Sequence, residues 1–127
     1  MKKEIVNTIN APAPIGPYNQ ATKANNTLFI SGQIPADPAT GEIINSSIED
    51  ETHMVMKNLK AILDEAGLGF DNVLKTSIFI SDMDNFNKIN TVYGSYFTSD
   101  FPARETVQVA KLPKGVNVEI SMIAIIY

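Results

Sequence analysis

From Val116 to Ile126 the sequence alternates with period two. Val116, Val118, Ile120, Met122, Ala124 and Ile126 fall on one side, and Asn117, Glu119, Ser121, Ile123 and Ile125 on the other. Successive side chains of an extended strand point to opposite faces, so the segment predicts a strand over 116–126 with one wholly apolar face. The second face is not plainly polar, because it ends in Ile123 and Ile125. A chain of 127 residues builds one core, not two, and the helices it can spare cover one face of a sheet. The isoleucines on the other face then need cover from another subunit. A homo-oligomer is expected, with Glu119 at or near the interface.

The remaining elements are read from the same kinds of pattern. Ala11-Pro12-Ala13-Pro14 ends an extended N-terminal segment over 1–14. Residues 18–24 and 27–34 read as strands joined by Asn25-Asn26, since Asn tolerates positive φ in a two-residue hairpin turn. The composition of 35–41 is that of a loop. Ser46 and Glu49 form a capping box for a helix whose stripe is Ile48, Thr52, Val55, Leu59, Ile62 and Ala66, stopped by Gly67 and Gly69. Residues 73–80 are rich in β-formers. A second helix opens near Ser81 or Asp82, with Met83, Phe86, Ile89, Tyr93 and Phe97 on one stripe, and Asp100-Phe101-Pro102 closes that region. Strands at 105–111 and 116–126 complete a β-β-β-α-β-α-β-β order in one domain over 1–127.

Composition removes whole classes of chemistry. No cysteine means no disulfide, thiolate nucleophile, Cys-based zinc site or Cys-ligated cluster. The single histidine, His53, has no second His to share a metal and is expected to be a plain surface or half-buried side chain. A net charge of −4 and the sparse Lys111/Lys114 pair argue against a nucleic-acid track. Gly67-Leu68-Gly69 is not a phosphate loop, lacking a preceding strand and a following Lys-Ser/Thr. Glu4, Asn7, Thr8 and Asn10 interrupt any signal-peptide apolar run, and no run approaches the roughly 18 apolar residues of a membrane span. A cytoplasmic protein with no membrane partner is expected.

Several residues are candidates for chemistry, each beside a plainer role. Glu119 lies mid-strand, where a carboxylate is costly unless paired; it is otherwise a solvated surface glutamate. Arg104 follows Phe101-Pro102-Ala103 and offers a planar fork for a carboxylate, although a lone Arg is usually a surface residue. A hairpin of the last two strands would bring Arg104 and Glu119 to one ligand. Burial would raise the Glu119 pKa and a nearby Arg104 would lower it. Asn90, on the inward stripe of the second helix, is either a structural amide or a ligand contact. Tyr18, aimed by Ile15-Gly16-Pro17, is a cleft residue or an interface aromatic. Ser31-Gly32 marks either close approach of a ligand or backbone, or a simple bulge.

Five motifs occur in an order that resembles the RidA/YjgF family over almost the whole chain. They are Ala13-Pro14-Ile15-Gly16-Pro17-Tyr18, Ser31-Gly32-Gln33-Ile34-Pro35, Ile89-Asn90 through Tyr96-Phe97, Phe101-Pro102-Ala103-Arg104, and Leu112 through Ile120. The resemblance implies an α+β, chorismate-mutase-like fold with helices on one sheet face and the other face in a homotrimer interface. It implies three ligand clefts between subunits and hydrolytic deamination of reactive 2-imino acids, or their enamines, released by PLP enzymes such as threonine and serine dehydratases. Arg104 then matches the residue that holds the substrate carboxylate, Glu119 the water-positioning glutamate and Tyr18 the cleft tyrosine. Asn90 matches a cleft residue, and Ser31 and Gly32 a motif near it. Glu105 stands where the family usually has a small residue, and Thr106 where it often has Cys, bearing on cleft electrostatics and substrate fit. Such a site needs no metal or organic cofactor. Other roles attached to the family are ligand sensing or protein interaction by the trimer, and RNA cleavage or inhibition of translation.

Overall fold

The structure, a computed structural model, describes residues 2–127. Eight principal elements follow one another: β1 (Glu4–Val6), β2 (Ala21–Ala24), β3 (Thr27–Gln33), α1 (Ile48–Glu65), β4 (Val73–Ile80), α2 (Phe86–Gly94), β5 (Ala103–Gln108) and β6 (Val118–Ile125). The order is the one the sequence predicts. Asn25 and Asn26 both take positive φ, 49° and 62°, and turn β2 into β3 with Ala24 opposite Thr27.

The helices are set by their ends as well as their stripes. The N-cap of α1 is Ser47, not Ser46: Ser47 is extended and its side chain accepts from the Asp50 amide, while Ser46 Oγ donates to Asp50 Oδ2 at 2.6 Å. Adjacent serines offer the same hydroxyl one residue apart, and the extended backbone at Ser47 selects it. Glu49, Asp50 and Glu51 then sit in the first turn, where the helix dipole favours acids. Gly67, at φ 74°, ends the helix: its amide reaches Asp64 O, and the Leu68 amide reaches back to Leu63 O. α2 is shorter than its apolar stripe. A 3-10 turn over Met83–Asn85 precedes it, Met83 is 40% exposed, and Phe97 packs from beyond the helix end.

The sheet order is β1-β2-β3-β6-β4-β5, antiparallel throughout except for the parallel β4–β5 pair at one edge. α1 packs on β3, β6 and α2, so both helices lie on one face. Leu28 and Ile30 of β3, Ile78 and Ile80 of β4, and Val118, Ile120, Met122 and Ala124 of β6 are buried beneath Val55, Met56, Leu59, Ile62 and Leu63 of α1. Among the described residues the opposite face carries no helix. Phe29 on that face is 49% exposed and stands directly across from Ile123, with Ile125, Phe79 and Val107 also at least partly exposed.

Two strand boundaries differ from expectation. β5 spans Ala103–Gln108 rather than 105–111, because the strand it pairs with, β4, ends at Ile80 opposite Gln108. β6 begins at Val118 rather than Val116, after a 3-10 turn over Pro113–Gly115 in which Lys114 takes a φ of 56°. At its far end Ile126 lies beyond the strand.

Candidate active site

The predicted site residues fall into two groups. The first lies on and beside the helix-free face. Ile30 of β3 pairs with Met122 and Gln33 with Ile120, so Ser31 and Gly32 together stand opposite the single residue Ser121. This is a β-bulge, an extra residue that re-aims the strand. It turns Gly32 toward the Glu119 side chain. A Cβ at position 32 would lie 2.6 Å from Glu119 Oε2 and 3.0 Å from its Cγ. The bulge expected at Ser31-Gly32 is present, and the group that comes close to Gly32 is the Glu119 side chain.

Ser31 binds this bulge to the loop carrying Tyr18. Its hydroxyl donates to Asn19 O at 2.7 Å and its amide to Gln20 O at 2.9 Å. Tyr18 is 46% exposed, and its hydroxyl accepts from the Ile15 amide. Gln20, a residue that strand patterning does not single out, is buried and anchors the loop. Its Oε1 accepts from the Thr8 amide at 2.6 Å, and its Nε2 faces the carbonyls of Thr8, Ala11 and Pro12. A shallow cleft results, lined by Ile15, Tyr18, Ser31, Gly32, Pro113 and Glu119. Glu119 is half-buried there, and that burial raises its carboxyl above the usual range.

The second group lies on the helix side, at the β5 edge. Arg104 is in register with buried Thr76, so it projects toward α2. Its Nη1 donates to Asn90 Oδ1 at 2.6 Å. The guanidinium carbon sits 5.2 Å from the centroid of the Tyr93 ring and 5.6 Å from that of Phe86, within cation–π range. Tyr93 is itself fixed by a 2.8 Å hydrogen bond between its hydroxyl and Thr76 Oγ1. Burial raises the Tyr93 pKa, opposed by that hydrogen bond and by Arg104. Among the described residues Arg104 makes no salt bridge. A cleft beside it is lined by Asn90, Tyr93, Gly94, Phe101 and Pro102. Thr106, one step further along the same strand face, has a buried hydroxyl with no hydrogen-bond partner. Asn90 is exposed rather than inward, because α2 turns this position to the β5 rim.

The expected hairpin between the last two strands does not form. β5 pairs with β4, which separates it from β6. Glu119 is opposite Phe79 of β4 and Arg104 opposite Thr76, positions of opposite parity, so the two side chains leave the sheet on opposite faces. Within one chain they do not meet, and only burial acts on the Glu119 pKa. Glu105 does point away from Arg104, as alternation requires: it pairs with Lys75 at 3.0 Å and accepts from Ser77 Oγ on the helix-free face. His53 is half-buried, with Nδ1 2.8 Å from the Tyr96 hydroxyl. Among the described residues no three His, Asp or Glu side chains cluster as a metal site requires, and no helix is long and apolar enough to cross a membrane.

A family profile described as Endoribonuclease L-PSP matches residues 8–126. The chain belongs to the RidA/YjgF family. A RutC family protein of Pyrococcus horikoshii is 52% identical over 122 residues, 96% of this chain and 97% of that protein. Human 2-iminobutanoate/2-iminopropanoate deaminase is 43% identical over 97% of this chain and 90% of its own length. The fold is shared across the RidA/YjgF family. The crystal structure of Escherichia coli TdcF with bound serine superposes with a TM-score of 0.94 at 41% identity, covering 98% of this chain and 99% of TdcF.

Proposed function

We propose that this protein deaminates 2-imino acids by hydrolysis, as a homotrimer whose clefts join the Arg104 group of one copy to the Glu119 group of the next. The observation that carries the reading is the Arg104 guanidinium. It is held by Asn90, backed by two aromatic rings and, among the described residues, engaged in no salt bridge, so its fork is available to an α-carboxylate. The human relative is named a deaminase of such substrates, and TdcF holds serine, a small molecule with the same carboxylate. The separation of the two groups onto opposite faces, with Phe29 and Val107 left exposed on the helix-free face, fits a site completed by a second copy.

In the proposed reaction Arg104 orients the C=N carbon through the carboxylate. Glu119 takes a proton from water as the oxygen bonds to that carbon of the protonated imine. The same proton passes to nitrogen; as the C–N bond breaks, Glu119 takes the remaining hydroxyl proton and hands it to the departing ammonia, so ammonium and a 2-keto acid leave and the carboxylate is restored. A carboxyl raised by burial suits both steps, since a general acid–base works best with its pKa near the working pH. Help of this kind is worth roughly 10²–10⁴-fold, enough for a substrate that hydrolyses unaided. Glu105, held by Lys75 and Ser77 on the other face, does not compete for Arg104, and Thr106 adds a free hydroxyl beside it.

The test couples the protein to threonine dehydratase and follows release of 2-ketobutyrate. Wild-type protein accelerates release, and Arg104→Ala and Glu119→Ala each lose most of that acceleration while leaving a measurable remainder. No acceleration by the wild type refutes the deaminase reading; full activity in Arg104→Ala refutes the site. Strong salt-sensitive RNA binding would instead favour the nuclease role attached to the family description.

A further inference from the structure

We propose that Glu51, buried in the first turn of α1, is a positioning residue that sets Glu119 through Asn117. Glu51 is 1% exposed, and both of its carboxylate oxygens serve one residue. The Asn117 amide donates to Oε1 at 3.2 Å and the Asn117 side-chain Nδ2 to Oε2 at 2.8 Å. The other two polar groups of Asn117 are taken by Ser81, whose hydroxyl donates to Oδ1 at 2.8 Å and whose amide donates to the carbonyl at 3.1 Å. Every polar group of Asn117 is therefore spoken for, and its backbone is fixed in rotation as well as place. Sequence alternation puts Asn117 beside Glu119; its side chain instead reaches across to α1.

The position matters because Asn117 is the last residue before β6, and Glu119 is the second residue within it. Ladder bonds to β4 set the register of β6, while the chain arrives through a left-handed turn at Lys114 that by itself does not aim the strand. Gly32 shows how finely Glu119 is placed, since even a methyl group there would overlap it. Burying a carboxylate is costly, and a hydrophobic side chain would fill the same space. Two donors from one residue need two acceptors on one side chain, which a carboxylate supplies. Ser81 in turn begins the segment leading into α2, the helix that carries Asn90 and thus the Arg104 contact.

The experiment compares Glu51→Ala, Glu51→Gln and Ser81→Ala in the full protein. It measures kcat and KM in the coupled assay, and the titration of the Glu119 carboxyl by carbon-13 NMR, assigned with Glu119→Gln. The kinetic arm rests on the deaminase reading; the titration needs no turnover and decides the proposal even if the wild type is inactive. In Glu51→Ala, kcat falls by about 10²-fold, the scale of an ångström misplacement. KM stays within about threefold, because carboxylate binding is untouched, and the Glu119 titration moves toward that of a solvated glutamate. Glu51→Gln restores both readouts. With the Asn117 amide turned over, the new Oε1 accepts the backbone N–H and its Nε2 donates to Asn117 Oδ1. Asn117 Nδ2 then donates to Ser81 Oγ. Ser81→Ala, which keeps the Glu51 bonds, shifts the titration in the same direction by less and decides the matter if Glu51→Ala does not fold. Wild-type titration in a folded Glu51→Ala or, failing that, in Ser81→Ala overturns the proposal. So does Glu51→Gln behaving like Glu51→Ala.

Discussion

Replacing Gly32 by alanine tests the cleft with one methyl group. Gly32 does not have a positive φ, so alanine is free to adopt its backbone, and the conflict is with Glu119 alone. The added carbon would lie 2.6 Å from Oε2, 2.8 Å from Cδ and 3.0 Å from Cγ. Restoring an ordinary contact displaces the carboxylate by about 1 Å, a misplacement that costs roughly 10²-fold in rate when it occurs at a reacting group. The protein itself should stay folded. Glu119 is half-exposed and can swing aside, and the glycine-to-alanine change returns about 0.4–1 kcal/mol through the unfolded chain. The assay is kcat from 2-ketobutyrate release, with circular dichroism melting as the control for folding. A double-mutant cycle isolates the cause: in a Glu119→Ala background the same Gly32→Ala substitution should cost nothing further. Wild-type kcat in Gly32→Ala, or an undiminished penalty in the Glu119→Ala background, refutes the argument that Gly32 acts through Glu119.

Three further outcomes follow from the same geometry. Burial raises the Glu119 pKa, so the folded state binds its proton more tightly than the unfolded chain does. The resulting loss of stability is absent below the unfolded pKa and complete above the folded one; Glu119→Gln should therefore raise the melting temperature at neutral pH and leave it unchanged in acid. Gln20→Ala strips the buried partner from the Thr8 amide and from carbonyls of the N-terminal loop. It should destabilise by about 1–3 kcal/mol in chemical denaturation and make the Tyr18 loop the first site of limited proteolysis. Sedimentation at micromolar concentration should show a trimer, and a monomer there would refute the shared-cleft arrangement.

What sequence could reveal depended on how local each cause was. The Asn25-Asn26 turn, the Gly67 stop and the α1 stripe are dictated by residues within a few positions of one another, and all are present. The parity of β6 is equally local, so its apolar underside and the half-exposed Ile123 and Ile125 were legible. The partner of β5 was not. Adjacent strands in sequence suggest a hairpin, but β5 returns through α2 to lie parallel to β4, a choice made by packing over a span no periodicity records. That single pairing moved Arg104 to the opposite face from Glu119. Tyr93 and Phe86 read simply as core residues of a helix stripe; their role behind the guanidinium depends on that same pairing. Gln20 and Glu51 gave the weakest signals, since their partners lie on other elements or in irregular loop backbone.

The place of β6 in the sheet has a bearing on how the chain comes to be folded at all. It follows the other five strands in chain order, yet it lies between β3 and β4 and supplies a paired edge to each. Until it arrives, the N-terminal three strands and the β4–β5 pair are two fragments with bare edges, the kind of surface that invites pairing with other chains. Synthesis from the N-terminus therefore cannot lay this sheet down in stages; the closing residues act as a keystone. Removing residues 118–127 takes out the seam of the sheet.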